Sequence, residues 1–369
     1  MGRSYPASSF RVPISMESMR DNRRWLGIVL LIVASSAAAP AAESPRARPS
    51  RLAGRVPLAV AQTQGSEAAP RDAELRETAR RGIAALMYGD PDGAIEIFQQ
   101  IQKADPQSPL GYLFEADATW WTIYLTTGNL VDPDVFDVAR SSTSPYDSHF
   151  EDMVNAAIRK ANARVHAHQD EARNYLYEGM AYGLKGRFYG LRDNDLPTAR
   201  AGKKMRALLL TALKMDPSLE DAYLGLGIYN YFVDTLPTIV KMLKFLIGLP
   251  AGGRELGLEQ LRRATDKGDL VRDEAKFYLA KDFSRRSEAE FDESLELFQQ
   301  LAHAYPDNML WTLLSGSLEI RLGRAEQGED LYREALAKTA RTKSEVGQAL
   351  HREARKALLR RHPNDRFGD

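Results

Sequence analysis

Gly82 to Ile101 reads GIAALMYGDPDGAIEIFQQI, and far downstream Gly316 to Ala335 reads GSLEIRLGRAEQGEDLYREA. Gly82, Gly89, Ala94, Phe98 and Ile101 of the first stretch recur at the same offsets as Gly316, Gly323, Gly328, Tyr332 and Ala335 of the second. A helical run, a glycine stop and a second helical run describe two antiparallel helices joined by a tight turn. Gly82 or Gly316 would let the second helix approach the first, Gly89 or Gly323 would turn the chain, and Phe98 or Tyr332 would fill the gap to a neighbouring pair. Pro106, Pro217 and Pro306 follow second helices, because proline has no N–H with which to continue one. Irregular copies of the pattern run through Leu209, Ala212, Tyr223, Leu226 and Gly227, and through Ala280, Phe283, Ser294, Phe298 and Leu301. With hardly a run of alternating β-branched residues, the expected fold class is all-α.

A unit of ~34 residues with these small-residue positions is the tetratricopeptide spacing. It predicts a helical-hairpin solenoid over residues 71–361 with inserted loops, followed by a tail at 362–369. The insertions are Thr126 to Asp147 and the loop GRFYGLRDNDLP, Gly186 to Pro197, with helices expected over 149–168 and 171–186. Ser344 to Arg361 is a Lys/Arg-rich amphipathic stretch, expected to cap the last repeat.

At the N-terminus Arg20, Arg23 and Arg24 precede an apolar run from Trp25 to Ala34 and then SSAAAPAA, the order of a secretory signal. Residues 1–41 are therefore expected to be a signal peptide, or an N-terminal anchor, and residues 42–70 a disordered linker. The expected location is exported and periplasmic, or membrane-anchored facing the periplasm, with membrane contact through the N-terminal segment. Lys+Arg and Asp+Glu both number 50, and loss of residues 1–41 would leave 45 against 48. No basic surplus remains for a phosphate backbone, so no nucleic-acid partner is expected. The chain has no cysteine, which removes disulfides, thiolate metal sites and cysteine nucleophiles.

No catalytic constellation is legible, so the protein is not expected to be an enzyme. The six histidines form no HExxH and no i, i+4 pair, and no metal or cofactor site is expected. Mixed-charge runs such as RDEAKFYLAKDFSRRSEAEFDE, Arg272 to Glu293, read as solvated helix faces. A carboxylate-based hydrolase ranks last, to be reconsidered if two carboxylates meet in a buried pocket. PAGGRELG, Pro250 to Gly257, is either a helix–helix turn or an anion cradle.

The stretch Asp221 to Ala264, DAYLGLGIYNYFVDTLPTIVKMLKFLIGLPAGGRELGLEQLRRA, is unlike the ordinary repeats around it. Gly225 and Gly227, Leu236-Pro237, Gly248, Gly253-Arg254-Glu255, Gly257-Leu258 and Leu261 resemble a segment of the tetratricopeptide-repeat 39 and yeast inclusion-clearance family. Gly252-Gly253 departs from the Gly-Asp of that family. The resemblance implies a repeat scaffold that acts by binding, with no active site. Tyr229, Tyr231 and Phe232 fall on different sides of a helix, to serve the core alone or also to line a concave groove; Lys241, Lys244 and Arg254 would add charge complementarity for a protein or peptide partner. The expected function is an exported scaffold, in envelope complex assembly. The alternative is a lipid- or membrane-contacting carrier that uses the apolar helix at 236–247.

Overall fold

The structure, a computed structural model, describes residues 61–127, 130–131, 143–235 and 248–363. These form helices α1 (Ala61–Met87), α2 (Pro91–Ala104), α3 (Leu110–Thr127), α4 (Asp147–His166), α5 (Glu171–Leu191), α6 (Asp195–Met215) and α7 (Ala222–Thr235). They continue with α8 (Arg254–Lys267), α9 (Arg272–Phe283), α10 (Phe291–Ala304), α11 (Met309–Arg321), α12 (Ala325–Thr339) and α13 (Glu345–Arg361), with no strand among the described residues. The fold is all-α. Each helix packs against the next in the chain, as a stack of hairpins requires.

The glycines and prolines stand where the repeat pattern needs them. A Cβ on Gly82 would overlap the Phe98 ring, and one on Gly316 would lie 2.8 Å from Tyr332 Cε1, so α1 meets α2 and α11 meets α12 at crossings that exclude side chains. Gly89 and Gly323 take φ of 87° and 83°, the left-handed turn that stops the first helix of each pair. Pro106, Pro217 and Pro306 each lie just past the last residues of α2, α6 and α10, namely Ala104, Met215 and Ala304. Before each proline, the N–H of Asp105, Asp216 or Tyr305 closes the helix on the carbonyl of Ile101, Ala212 or Leu301.

Several boundaries differ from expectation. α1 begins at Ala61, inside the stretch read as linker, and runs through Pro70. The expected loop at 186–197 is mostly helix: α5 runs to Leu191 and α6 starts at Asp195. Phe188 and Leu191 continue the buried face of α5, and that burial outweighs the cost of Gly186 and Gly190 within a helix. The signal segment, most of the linker, the heart of the 126–147 insertion and the apolar segment 236–247 with Lys241 and Lys244 lie outside the described residues. Among the described residues no helix is long and apolar enough to cross a membrane.

α13 caps the stack, with Ser344 Oγ accepting from the Gly347 N–H at 3.1 Å. Val346, Leu350, Ala354 and Leu358 are buried, while Arg352, Lys356 and Arg360 face solvent. The helix packs on α12 and α11 and also reaches α3, the first helix of the second hairpin.

Candidate functional site

The first helices of the hairpins, α3, α5, α7, α9 and α11, converge on the inner side of the stack. Trp121 of α3 stands with its ring centroid 5.0 Å from Phe277 of α9 and 6.2 Å from Trp311 of α11. Trp311 Nε1 donates to the Met87 carbonyl at the end of α1, at 3.2 Å. α9 is buried along most of its length, from Phe277 to Phe283 without a break, and Glu274, Lys281 and Asp282 are among its buried residues. The reading of Arg272 to Glu293 as a solvated face is thus corrected over α9. Its charges lie inside because that helix is surrounded, and each buried charge must then find a partner.

The largest of these clusters is a triad across three helices. Arg187 of α5 donates from Nη2 to Asp117 Oδ1 of α3 at 3.2 Å and from Nη1 to Tyr278 Oη of α9 at 2.9 Å, and its Nη1 is ion-paired with Glu274 Oε1. The guanidinium also lies over the Trp120 ring, 4.6 Å from its centroid. The side chains of Asp117 and Glu274 are each 8% exposed. Burial, reinforced by the Glu274 charge and opposed by Arg187, pushes the Asp117 carboxyl up to about 8. Burial alone would lower the Arg187 guanidinium, but the surrounding Glu274, Tyr278 and Asp117 hold it above its ordinary value.

Beside the triad is a cavity of about 50 Å³. Asp117, Arg187 and Glu274 line it on one side, with Asp221, and Phe114, Met180, Leu184, Met205, Leu224 and Ile228 give it apolar walls. Met180, Gly183, Gly225 and Ile228 are its part-buried lining residues, together with Arg187. Asp221 is already engaged, accepting the Asp269 N–H at 2.6 Å and the Leu270 N–H at 3.1 Å to close the turn between α8 and α9.

The residues singled out in Asp221 to Ala264 occupy a different corner. Tyr229 and Tyr231 are 5% and 0% exposed, so their rings belong to the core and offer a partner no surface. Tyr229 Oη donates to the Pro250 carbonyl at 2.8 Å, and Tyr231 Oη donates to Glu288 Oε1 at 3.0 Å. Phe232 is half-buried, edge-on to Tyr231 at 5.8 Å, with the Arg285 guanidinium 5.2 Å from its ring centroid. Arg254 is 42% exposed, and its Nε donates to Glu288 Oε1 at 2.7 Å. Glu288 thereby ties α7 to α8, and the charge expected to face a partner is met within the chain. Gly227 and Gly257 mark where α7 and α8 cross: a Cβ on Gly257 would lie 2.5 Å from the Tyr231 backbone nitrogen. The start of α8, read as a turn or an anion cradle, holds an internal carboxylate, since the Arg254 N–H donates to Asp234 Oδ2 at 3.0 Å.

The histidines serve as local partners. His149 Nε2 meets Glu115 Oε1 at 2.9 Å, His168 Nδ1 meets Glu171 Oε1 at 2.8 Å, and His351 Nδ1 meets Thr339 Oγ1 at 3.0 Å. Among the described residues no group of His, Asp and Glu side chains is arranged to hold a metal ion.

No family model matches the chain, and no curated protein matches it. The resemblance in Asp221 to Ala264 therefore stands on those residues alone. Among solved structures, the chain is similar to a thermophilic tetratricopeptide protein of Thermus thermophilus, with 16% identity and a TM-score of 0.37, over 68% of this chain and 98% of that one.

Proposed function

We propose that this chain is an exported repeat scaffold that binds a protein or peptide partner in the assembly of an envelope complex. The observation that carries the reading is the register of the hairpins, from Gly82 against Phe98 to Gly316 against Tyr332, which builds a stack of helices with an inner face. That inner face is not an open groove between α3, α9 and α11, where aromatic side chains fill it, while a cavity lies beside α5 and α7 at Asp117. A partner is thus expected to meet the rim formed by α5 and α7, with Phe232 and Arg254 farther along the α7–α8 hairpin. Lys241 and Lys244 belong to the proposal as charged positions between α7 and α8.

A buried carboxylate pair does occur beside a cavity, the condition set for a hydrolase. Binding is still the better reading, because Arg187 lies between Asp117 and Glu274 and is ion-paired with both, which leaves neither carboxylate placed to act alone as an acid or a base. The test is crosslinking in the envelope fraction with the tagged full chain, with N-terminal sequencing of the recovered protein. Recovery of one defined partner, lost when Phe232, Lys241, Lys244 and Arg254 are replaced together by alanine, supports the reading. Recovery from the cytoplasm with residues 1–41 intact contradicts export.

A further inference from the structure

Helix α6 carries Arg200, Lys203, Lys204, Arg206 and Lys214 against one carboxylate, Asp195. Lys204 is turned to Glu178 of α5 at 3.9 Å, and the Arg206 guanidinium lies 5.7 Å from the Tyr229 ring centroid. The other three, Arg200, Lys203 and Lys214, are exposed and, among the described residues, meet no carboxylate. Asp216, just past the helix, is occupied by Ser218, whose N–H and Oγ donate to its Oδ1 at 2.9 and 2.6 Å. At about 100° per residue, Arg200, Lys203, Ala207, Leu210 and Lys214 fall within about 80° of one another and form a stripe about 21 Å long. That stripe is also apolar: Leu210 is 41% exposed and Met215, at its end, 49%, two of the four large hydrophobic residues exposed among the described residues.

We propose that the outward stripe of α6 is a contact surface for an anionic phospholipid bilayer, with Arg200, Lys203 and Lys214 at the headgroups and Leu210 and Met215 entering the acyl boundary. A solvated helix face pairs its charges, as α12 does with Arg333 and Asp330 at 2.8 Å and with Lys338 and Glu334 at 2.8 Å. On α6 the cations stand apart from acids and beside apolar side chains, the combination that an anionic bilayer boundary takes up. A helix flank is convex, so a fluid layer of headgroups reaches all three cations at once. An acidic peptide answers the charge and not the two apolar side chains. None of these five residues lines the cavity at Asp117, so the proposal stands apart from the partner-binding reading. Each cation near an anionic surface is worth roughly fivefold in affinity, and three give about a hundredfold.

The chain has no cysteine, so Ala207→Cys puts a single thiol in the middle of the stripe, and Gln299→Cys, exposed on α10, is the control. Each full-length variant carries an environment-sensitive fluorophore and is titrated with vesicles of phosphatidylcholine, vesicles of equal phosphatidylcholine and phosphatidylglycerol, and soluble poly-glutamate. The label at 207 should brighten on the anionic vesicles with about a hundredfold preference over phosphatidylcholine, and the label at 299 should not respond. Lys203→Gln with Lys214→Gln should weaken that binding roughly twentyfold, and Leu210→Ser with Met215→Ser about fivefold or more. No response at 207, equal responses at 207 and 299 as attachment through residues 1–41 alone would give, or binding unchanged by either pair of substitutions overturns the proposal. If a substituted chain fails to fold, salt decides: a full response at about 1 M, where charges are screened beyond about 3 Å, sinks it. Poly-glutamate bound more tightly than the anionic vesicles would assign the stripe to an acidic protein and overturn the lipid occupant.

Discussion

Arg187 of α5 reaches Asp117 of α3 at 3.2 Å and pairs in the same place with Glu274 of α9, so helices far apart in the chain share one buried guanidinium. Removing the shared cation leaves two buried carboxylates facing each other. Arg187→Ala is expected to cost about 3–5 kcal/mol, the range for breaking a buried pair from one side. Arg187→Met combined with Asp117→Asn and Glu274→Gln should recover most of that loss. Urea unfolding of the single and triple variants, followed by circular dichroism, checks both statements.

The same geometry sets a pH dependence. Asp117 is pushed up to about 8 and Asp282, which has no exposed surface, to about 7, each mainly by burial. Asp117 faces Glu274 and Arg187, and Asp282 faces Arg285, Glu288 and Lys281. Between roughly pH 4 and these values the folded state holds protons that the unfolded chain has released, so stability falls as pH rises through this window. Asp117→Asn should flatten the slope of unfolding free energy against pH up to about 8, and Asp282→Asn up to about 7. A slope unchanged in both variants would contradict the assignment.

Glu329 acts in the opposite sense. Hydrogen bonds from Arg361 and His362 hold it down at about 2 and tie α12 to the end of α13. Its contribution is present above about pH 4.5 and lost as pH falls toward 2. Hydrogen exchange of α13 should rise over that range, and Glu329→Gln should make the exchange insensitive to it.

The crossing of α7 and α8 makes a steric prediction. A side chain on Gly257 would strike the Tyr231 backbone, which no rotamer change can relieve, and Gly257→Ala should destabilise by about 1–3 kcal/mol or more. Gly190→Ala, where a Cβ meets nothing within 4 Å, serves as the neutral-to-stabilising control. Thermal unfolding of the two variants side by side gives the comparison.

Positions such as Gly82, Gly89, Pro106 and Gly316 were legible in the sequence because their cause is local: a turn, a crossing within one hairpin, a helix stop. The triad was not. Arg187 sits in a Gly-containing stretch that read as loop, and Glu274 sits in a mixed-charge run that read as a solvated face. Whether a charged helix is outside or enclosed depends on the helices that surround it, and those are brought by the curvature of the whole stack. One available signal was α9 itself, where Ala275, Phe277, Tyr278, Leu279 and Phe283 spread over most of the helix circumference. Tyr229 and Tyr231 show the converse: aromatic residues spread around a helix marked burial.

The central claim is that a partner meets the inner side of the stack at the rim of α5 and α7. The most direct measurement places a photo-crosslinking amino acid at Ile228, a part-buried residue of the cavity lining, and separately at Glu296, exposed on α10, in otherwise unchanged protein. The account predicts a crosslinked partner from position 228 and none from 296. Crosslinking from 296 with none from 228 would contradict it.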